Sequence, residues 1–263
     1  SWARSRPMLR RFGKRAVPSP EAPAVEACGL AKSYRRDDGE PVNALRGIDL
    51  RIERGEMVAI VGPSGCGKTT LLNCLAALER EYSGDVILAG VRLRDLGDDD
   101  RARLRAVATG FIFQSFNLLP TLNAVENVEM PLLINGMRGR LARRAALEML
   151  SSVGLEGREG HRPSALSGGQ QQRVAIARAL VHQPSIVWAD EPTGNLDSES
   201  TAEIMTLIRQ LNADHEQTVV IVTHDVDVAA SAHRHIRMHD GRIVADDQQP
   251  SRHPAVLERL RES

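Results

Sequence analysis

Cysteine is nearly absent from this 263-residue sequence, with only Cys28, Cys66 and Cys74 present. Three scattered thiols fit no metal-ligand spacing; they read as free thiols of a reducing compartment, which predicts the cytosol and excludes a disulfide framework. Charge of one sign is not in excess. Lys+Arg and Asp+Glu both number 34, so no large electrostatic attraction to nucleic acid is implied. Long apolar runs are missing too: none approaches the roughly 20 residues that span a bilayer. Aromatic residues make up 3% against 42% hydrophobic and 26% charged, the balance of a soluble globular chain with one substantial core. No segment repeats, so a single nucleotide core is expected. Residues 1–20 carry Arg4, Arg6, Arg10, Arg11, Lys14 and Arg15 and then turn proline-rich, with no acid and no apolar centre. They read as an unstructured leader rather than a signal or an anchor, with a weak foothold on anionic lipid as the alternative.

What is present is organised around residues 62–70, Gly-Pro-Ser-Gly-Cys-Gly-Lys-Thr-Thr. An apolar run with the length and branching of a buried strand, residues 57–61, stands before it. Residues 71–78 follow with helical spacing. Between a strand and a helix, G-x-x-x-x-G-K-T is a phosphate-binding loop. Glycines let successive backbone N–H groups curl around phosphate oxygens, and the following helix adds positive potential. Lys68 can reach the β- and γ-phosphates and the Thr69 hydroxyl can ligate Mg²⁺.

Residues 24–52 hold two β-like stretches around the polar turn 36–41, with Tyr34 ending the first. Residues 84–90 read as a short strand and turn, 98–105 as a charged surface helix, 110–114 as a buried strand. From 115 to about 165 the strands stop, and residues 123–134 and 141–153 have helical spacing. Then β and α alternate again: strands at 185–190, 218–223, 236–239 and 242–245, a helix at 198–211, and a short helix at 255–261. This alternation predicts a mostly parallel sheet with helices on both faces and a helical lobe inserted in it.

Two further stretches carry chemistry. Residues 186–191 are an apolar strand ending in Asp190 and Glu191. In a chain with a phosphate loop, Asp190 can hold Mg²⁺ and Glu191 can polarise an attacking water; Trp188 in the same strand reads as core. Residues 166–170, Leu-Ser-Gly-Gly-Gln, precede a strong helix pattern at 171–180. They form either a second anion-binding helix start or an ordinary helix cap.

Together these stretches resemble the ATP-binding subunits of ABC transporters, from about residue 25 to 246. Walker A matches residues 62–69 (Gly62, Pro63, Ser64, Gly65, Cys66, Gly67, Lys68 and Thr69, with Thr70 following), Walker B matches 186–190, and the signature matches 166–170 unchanged. The resemblance places the catalytic glutamate at Glu191, the Q-loop glutamine at Gln114, the switch histidine at His224, the D-loop at 195–197, and the adenine-stacking aromatic at Tyr34. It implies a P-loop NTPase (RecA-like) α/β core at 24–247, with an N-terminal antiparallel β subdomain, a helical subdomain at about 115–165, a leader at 1–23 and a tail at 248–263. Residues 110–120 and 190–197 resemble the macrolide-export, lipoprotein-release and cell-division branch.

The family implies ATP and Mg²⁺ as cofactors, with Thr69, Gln114 and Asp190 at the metal. It implies a second ATP-binding subunit, whose triphosphate is closed by Ser167, Gly168, Gly169 and Gln170 and coupled through Asp197. It also implies an integral-membrane permease with a large extracytoplasmic domain, docking on the helical lobe around residues 116–131, and a place at the cytoplasmic membrane face. ATP hydrolysis coupled to export or mechanotransmission is the expected function. A regulatory ATPase of a cell-division-type complex is the alternative; a soluble ABC ATPase acting on nucleic acid or ribosomes lacks its usual coiled-coil arms, zinc modules or tandem cassettes here.

Overall fold

The computed structural model describes residues 22–35 and 40–248. The basic leader, residues 36–39 of the polar turn and the expected helix at 255–261 lie outside the described residues.

Uninterrupted apolar or β-branched runs at 57–61, 186–189 and 218–223 make the centre. β3 (Met57–Val61), β6 (Thr109–Phe113), β7 (Ile186–Asp190), β8 (Thr218–Thr223) and β9 (Arg234–His239) run parallel, and β10 (Arg242–Gln248) returns antiparallel on β9. Their order is β10-β9-β3-β8-β7-β6. Side chains alternate along a strand, so this sheet feeds two cores. Met57, Ala59, Val187, Ala189, Val219 and Ile221 face one core. Val58, Ile60, Ile186, Trp188, Val220 and Val222 face the other. The inner strands β3, β7 up to Asp190 and β8, buried on both faces, therefore read as continuous runs, whereas β9 alternates, with Ile236 and Met238 buried and Arg237 and His239 exposed.

The second core lies under a four-stranded antiparallel sheet of order β2-β1-β4-β5. It combines β1 (Val25–Arg35), β2 (Pro41–Ile52), β4 (Ser83–Leu88) and β5 (Val91–Arg92). The strand expected at 84–90 thus leaves the parallel sheet and pairs with β1, Val25 opposite Leu88. α1 (Lys68–Leu75) sits in this core, burying Leu71, Leu72, Cys74 and Leu75.

The helix expected to reach Leu78 ends at Leu75. Ala76 donates its N–H to Leu72 O, Ala77 turns left-handed at φ 60°, and Leu78 and Glu79 both donate to Asn73 O. Ala76 and Ala77 are fully buried, so their apolar spacing records a packed turn rather than another turn of helix. α2 (Asp98–Ala108) opens on three aspartates and closes near Arg105, charges that suit the helix dipole.

The first core is completed by α3 (Ala124–Ile134), α4 (Gly139–Ser152), α5 (Gly168–Leu180), α6 (Ser198–His215) and the short α7 (Val226–Ala229). An Asn123–Glu126 capping box starts α3. Buried Asn127 donates to the carbonyls of Leu119, Leu122 and Asn123 and accepts from the Leu119 N–H, fixing the approach to that helix. No helix among the described residues is long and apolar enough to cross a membrane.

Candidate nucleotide site

The phosphate loop leaves the core at Val61 and re-enters it at Lys68. Gly62 has φ 155°, and a Cβ there would lie 2.3 Å from Met238 O. Gly67 has φ 102°, and a Cβ would lie 2.4 Å from Ala44 O. The loop is therefore threaded between β9 and β2, where only glycine fits. Gly67 is also the N-cap of α1, with no capping side chain and no acid in the first turn. The positive end of α1 thus has no anion of its own. Lys68, only 9% exposed, donates from Nζ to Gly62 O at 2.7 Å and Pro63 O at 3.0 Å. Its third N–H donor faces no protein partner. Thr69 is exposed beside it.

The paired acids stand at the end of β7. Half-buried Asp190 lies in register between Phe113 of β6 and Val222 of β8. Burial raises its pKa above the ordinary aspartate value and the Glu191 carboxylate raises it further, while the Lys68 ammonium pulls it down. Glu191 is left-handed at φ 47°, a turn that swings its carboxylate toward β8. There Oε2 accepts from Thr223 Oγ1 at 2.9 Å, and Oε1 accepts from the His224 backbone N–H at 3.1 Å and from Nδ1 at 2.7 Å. His224, Gly62 and Pro63 line one depression of about 520 Å³, so His224 and residues 62–63 share a wall.

Gln114 follows β6 and is exposed. Its Nε2 donates to Asn195 Oδ1 at 3.3 Å, and Asn195 Nδ2 donates back to Gln114 O at 3.0 Å, so the expected Q-loop and D-loop are bonded within one chain. Asp197 is the N-cap of α6, accepting the Ser200 N–H at 2.7 Å; that bond holds its carboxyl below the usual range. Ser167 and Gln170 form a reciprocal capping box at the start of α5. Of the two alternatives, the cap is thus present in this chain, and a capped helix start still offers its remaining N–H groups to an anion. The nearest atoms to Gly168 and Gly169 belong to Leu196, Phe116 and Ser200. Tyr34 ends β1 as an exposed side chain, its hydroxyl 3.4 Å from Glu79 Oε2. The structure therefore gathers Lys68, Asp190, Glu191 and His224 at one end of the sheet and sets 167–170 beside the D-loop.

Several supporting residues escaped the sequence reading. Thr223 could have been noticed as a hydroxyl adjoining His224. Arg178 reads only as a helix former, yet it donates to Asn117 O at 2.6 Å and Phe116 O at 2.9 Å, pinning two left-handed residues beyond Gln114. Gln172 is fully buried and donates to Pro192 O, next to Glu191. Neither bond has a local sequence signal.

The donors fit a triphosphate with a hard divalent cation. A side-chain-free cradle, an uncapped helix start and an ammonium suit phosphate, while the Thr69 hydroxyl, Gln114 amide oxygen and Asp190 carboxylate are oxygen ligands. A parallel sheet with this loop between β3 and α1, and acids at the end of β7, is the P-loop NTPase fold. Residues 45–194 match the family described as ABC transporter. The chain is 47% identical over 241 residues to the pyoverdine export ATP-binding/permease protein PvdT of Pseudomonas syringae pv. tomato, covering 90% of this chain and 37% of that protein. It is 48% identical over 237 residues to the macrolide export ATP-binding/permease protein MacB of Nitrosomonas europaea, covering 89% of this chain and 36% of that protein. Thus it spans little more than a third of those relatives. With the ABC transporter ATP-binding protein MJ0796 of Methanocaldococcus jannaschii, identity is 45% over 228 residues, 85% of this chain and 97% of that one. A solved dimeric post-hydrolysis state of MJ0796 bound to ADP and Pi superposes with TM-score 0.79 at 42% identity, covering 86% of this chain and 99% of that one. This chain belongs to the ABC transporter family, and MacB and MJ0796 stand in the branch its motif wording resembles.

Proposed function

We propose that this chain is the ATP-binding and ATP-hydrolysing cassette of an export or mechanotransmission complex, working as a dimer at the cytoplasmic face of a membrane. The observation that carries this reading is the meeting of Lys68 with Asp190, and of Glu191 with Thr223 and His224, at one end of the sheet. In this reading the cassette spans 24–247 with its helical subdomain at about 115–165, flanked by 1–23 and 248–263. Residues 62–70 take the triphosphate, and Lys68 turns its third donor to it. Thr69, Gln114 and Asp190 hold Mg²⁺, which when bound offsets the phosphate charge. Tyr34 carries the adenine ring.

Glu191 is the general base. A carboxylate has about four lone-pair sites, and three are engaged by Thr223 and His224, leaving one for the proton of a water. Gln114 orients that water. With Nδ1 donating to Glu191, a neutral His224 presents only an acceptor at Nε2. Its contact with a γ-phosphate oxygen therefore requires the imidazolium or release of the ring from Glu191. Ser167, Gly168, Gly169 and Gln170 of one copy close over the triphosphate on the phosphate loop of the other, and Asp197 couples the two sites. The solved MJ0796 dimers support that pairing. The membrane partner is of the permease type, which in the proteins named PvdT and MacB belongs to the same polypeptide.

Glu191→Gln tests the reading. It should bind Mg-ATP, form dimers and hydrolyse about 10²- to 10⁴-fold more slowly. Trapped with Mg-ATP and drawn from detergent-solubilised membranes, it should bring a permease with a large extracytoplasmic domain. Wild-type turnover would remove Glu191 as the base, and recovery of ribosomes or nucleic acid without a permease would overturn the membrane role.

A further inference from the structure

Among the described residues, Lys32 is buried as Lys68 is, with 5% of its side chain exposed. A lysine that deep is tolerated when its charge is paired. Its Nζ lies 3.3 Å from Glu79 Oε1 and 4.8 Å from the centroid of the Tyr34 ring, within cation–π range. The Tyr34 hydroxyl reaches the other carboxylate oxygen, Glu79 Oε2, at 3.4 Å. The ring is thus held at its face by the ammonium and at its edge by the carboxylate, yet Tyr34 keeps 40% of its surface accessible.

Glu79 is fixed in turn. Oε1 accepts the backbone N–H groups of Arg80 at 2.8 Å and Glu81 at 3.1 Å, its own N–H reaches Asn73 O in α1, and its carbonyl accepts from Arg101 at 3.2 Å. Burial works to raise its pKa, but those backbone donors and Lys32 prevail and leave it lowered, so the carboxylate stays ionised opposite the ammonium. The chain of contacts runs from the end of the phosphate-loop helix, through Glu79 and Lys32, to an accessible aromatic face.

We infer that Lys32 and Glu79 are positioning residues for base recognition, holding the Tyr34 ring in register with the phosphate loop so that one face is offered to the base. This rests on the reading of Tyr34 as the adenine platform. Neither residue touches nucleotide; each acts through the ring. A ring already held has little freedom left to lose on stacking, whereas an unsupported one gives up about 3- to 10-fold in affinity to ordering.

The test compares ATP with inorganic tripolyphosphate, which has the phosphates and no base, by calorimetry on the full 263-residue chain. Lys32→Met and Glu79→Gln should keep tripolyphosphate affinity and lose about 3- to 10-fold for ATP, raising KM and leaving kcat at saturation unchanged. Tyr34→Ala should do the same, Lys32→Met should add nothing in a Tyr34→Ala background, and Lys32→Arg should restore most of the loss. Tripolyphosphate affinity reports that each variant has folded, and Lys32→Arg keeps the test open if Lys32→Met does not. An unchanged ATP-to-tripolyphosphate ratio in Lys32→Met or Lys32→Arg-insensitive loss, with the ratio lowered in Tyr34→Ala, overturns the positioning pair alone. An unchanged ratio in Tyr34→Ala overturns the platform reading and this inference with it.

Discussion

Lys68→Ala separates two jobs that one ammonium performs. Nζ staples the phosphate loop through Gly62 O and Pro63 O. Hydrogen bonds from a charged donor are worth about 1.5–3 kcal/mol each. Gly62 is only half-buried and Pro63 is exposed, so water can replace both acceptors' partner. The loss of stability should therefore be small, about 1–3 kcal/mol in all.

The second job is larger. An ammonium about 4 Å from a phosphate charge contributes about 4 kcal/mol at an effective dielectric near 20, roughly a thousandfold in affinity. Removing it also lifts the one influence that holds down the Asp190 pKa, so Mg²⁺ meets a better-protonated ligand. Urea unfolding without nucleotide and titration with a fluorescent ATP analogue, each with and without Mg²⁺, measure the two jobs independently. The expected result is a modest loss of stability and a loss of affinity near three decades, steeper with Mg²⁺ than without. A folded variant whose affinity changes less than about threefold would show that Lys68 is a loop staple only and would refute the phosphate assignment.

The raised pKa of Asp190 sets a pH dependence. A carboxyl whose folded pKa lies above its unfolded value weakens the fold when ionised, a cost that disappears as pH falls through the folded value. Protons and Mg²⁺ then compete for it, so the acidic limb of ATP hydrolysis should lie above the ordinary aspartate range and retreat as Mg²⁺ is raised; a limb indifferent to Mg²⁺ would count against Asp190 as a ligand. Arg178→Met removes both donors from Phe116 O and Asn117 O, at a local cost of about 1.5–3 kcal/mol. Hydrogen exchange at residues 114–119 should accelerate while ATP affinity holds, and unchanged protection would show that the loop does not depend on this clamp.

The residues legible in the sequence share a property: their chemistry demands a residue type at a fixed distance along the chain. Gly62, Gly67 and Lys68 must follow a strand and open a helix, and Asp190 and Glu191 must end one. The inner strands β3, β7 and β8 were legible for a similar reason, since a strand buried on both faces is apolar or β-branched along its length. What stayed hidden is assembled across the chain. Thr223 meets Glu191 over 32 residues, Arg178 meets Phe116 over 62, and Tyr34 meets Glu79 over 45. The early end of α1 was hidden because Ala76 and Ala77 are equally apolar in a helix or in a buried turn, and only the left-handed φ at Ala77 tells the two apart. The partner of β4 was hidden because its alternation suits either sheet.

The same bonds bear on the proposed pairing of two copies. Several side chains of the proposed site are bonded within the chain: Lys68 to its own loop through two of its three donors, Glu191 to Thr223 and His224, Gln114 to Asn195, Ser167 to Gln170. A polar group already bonded gains little from a new partner, because the old bond must be given up in the exchange. Nucleotide alone offers phosphates to Lys68 but no substitute for the bonds of Ser167 and Gln114. A second copy that brings its own α5 start to the triphosphate changes several of these pairings at once. In the proposed dimer, hydrolysis would depend on an exchange in which the bonds given up offset those gained, a balance that loss of the γ-phosphate would tip. Such a balance is what the proposed function requires of ATP turnover that opens and closes a dimer, rather than trapping it in either state.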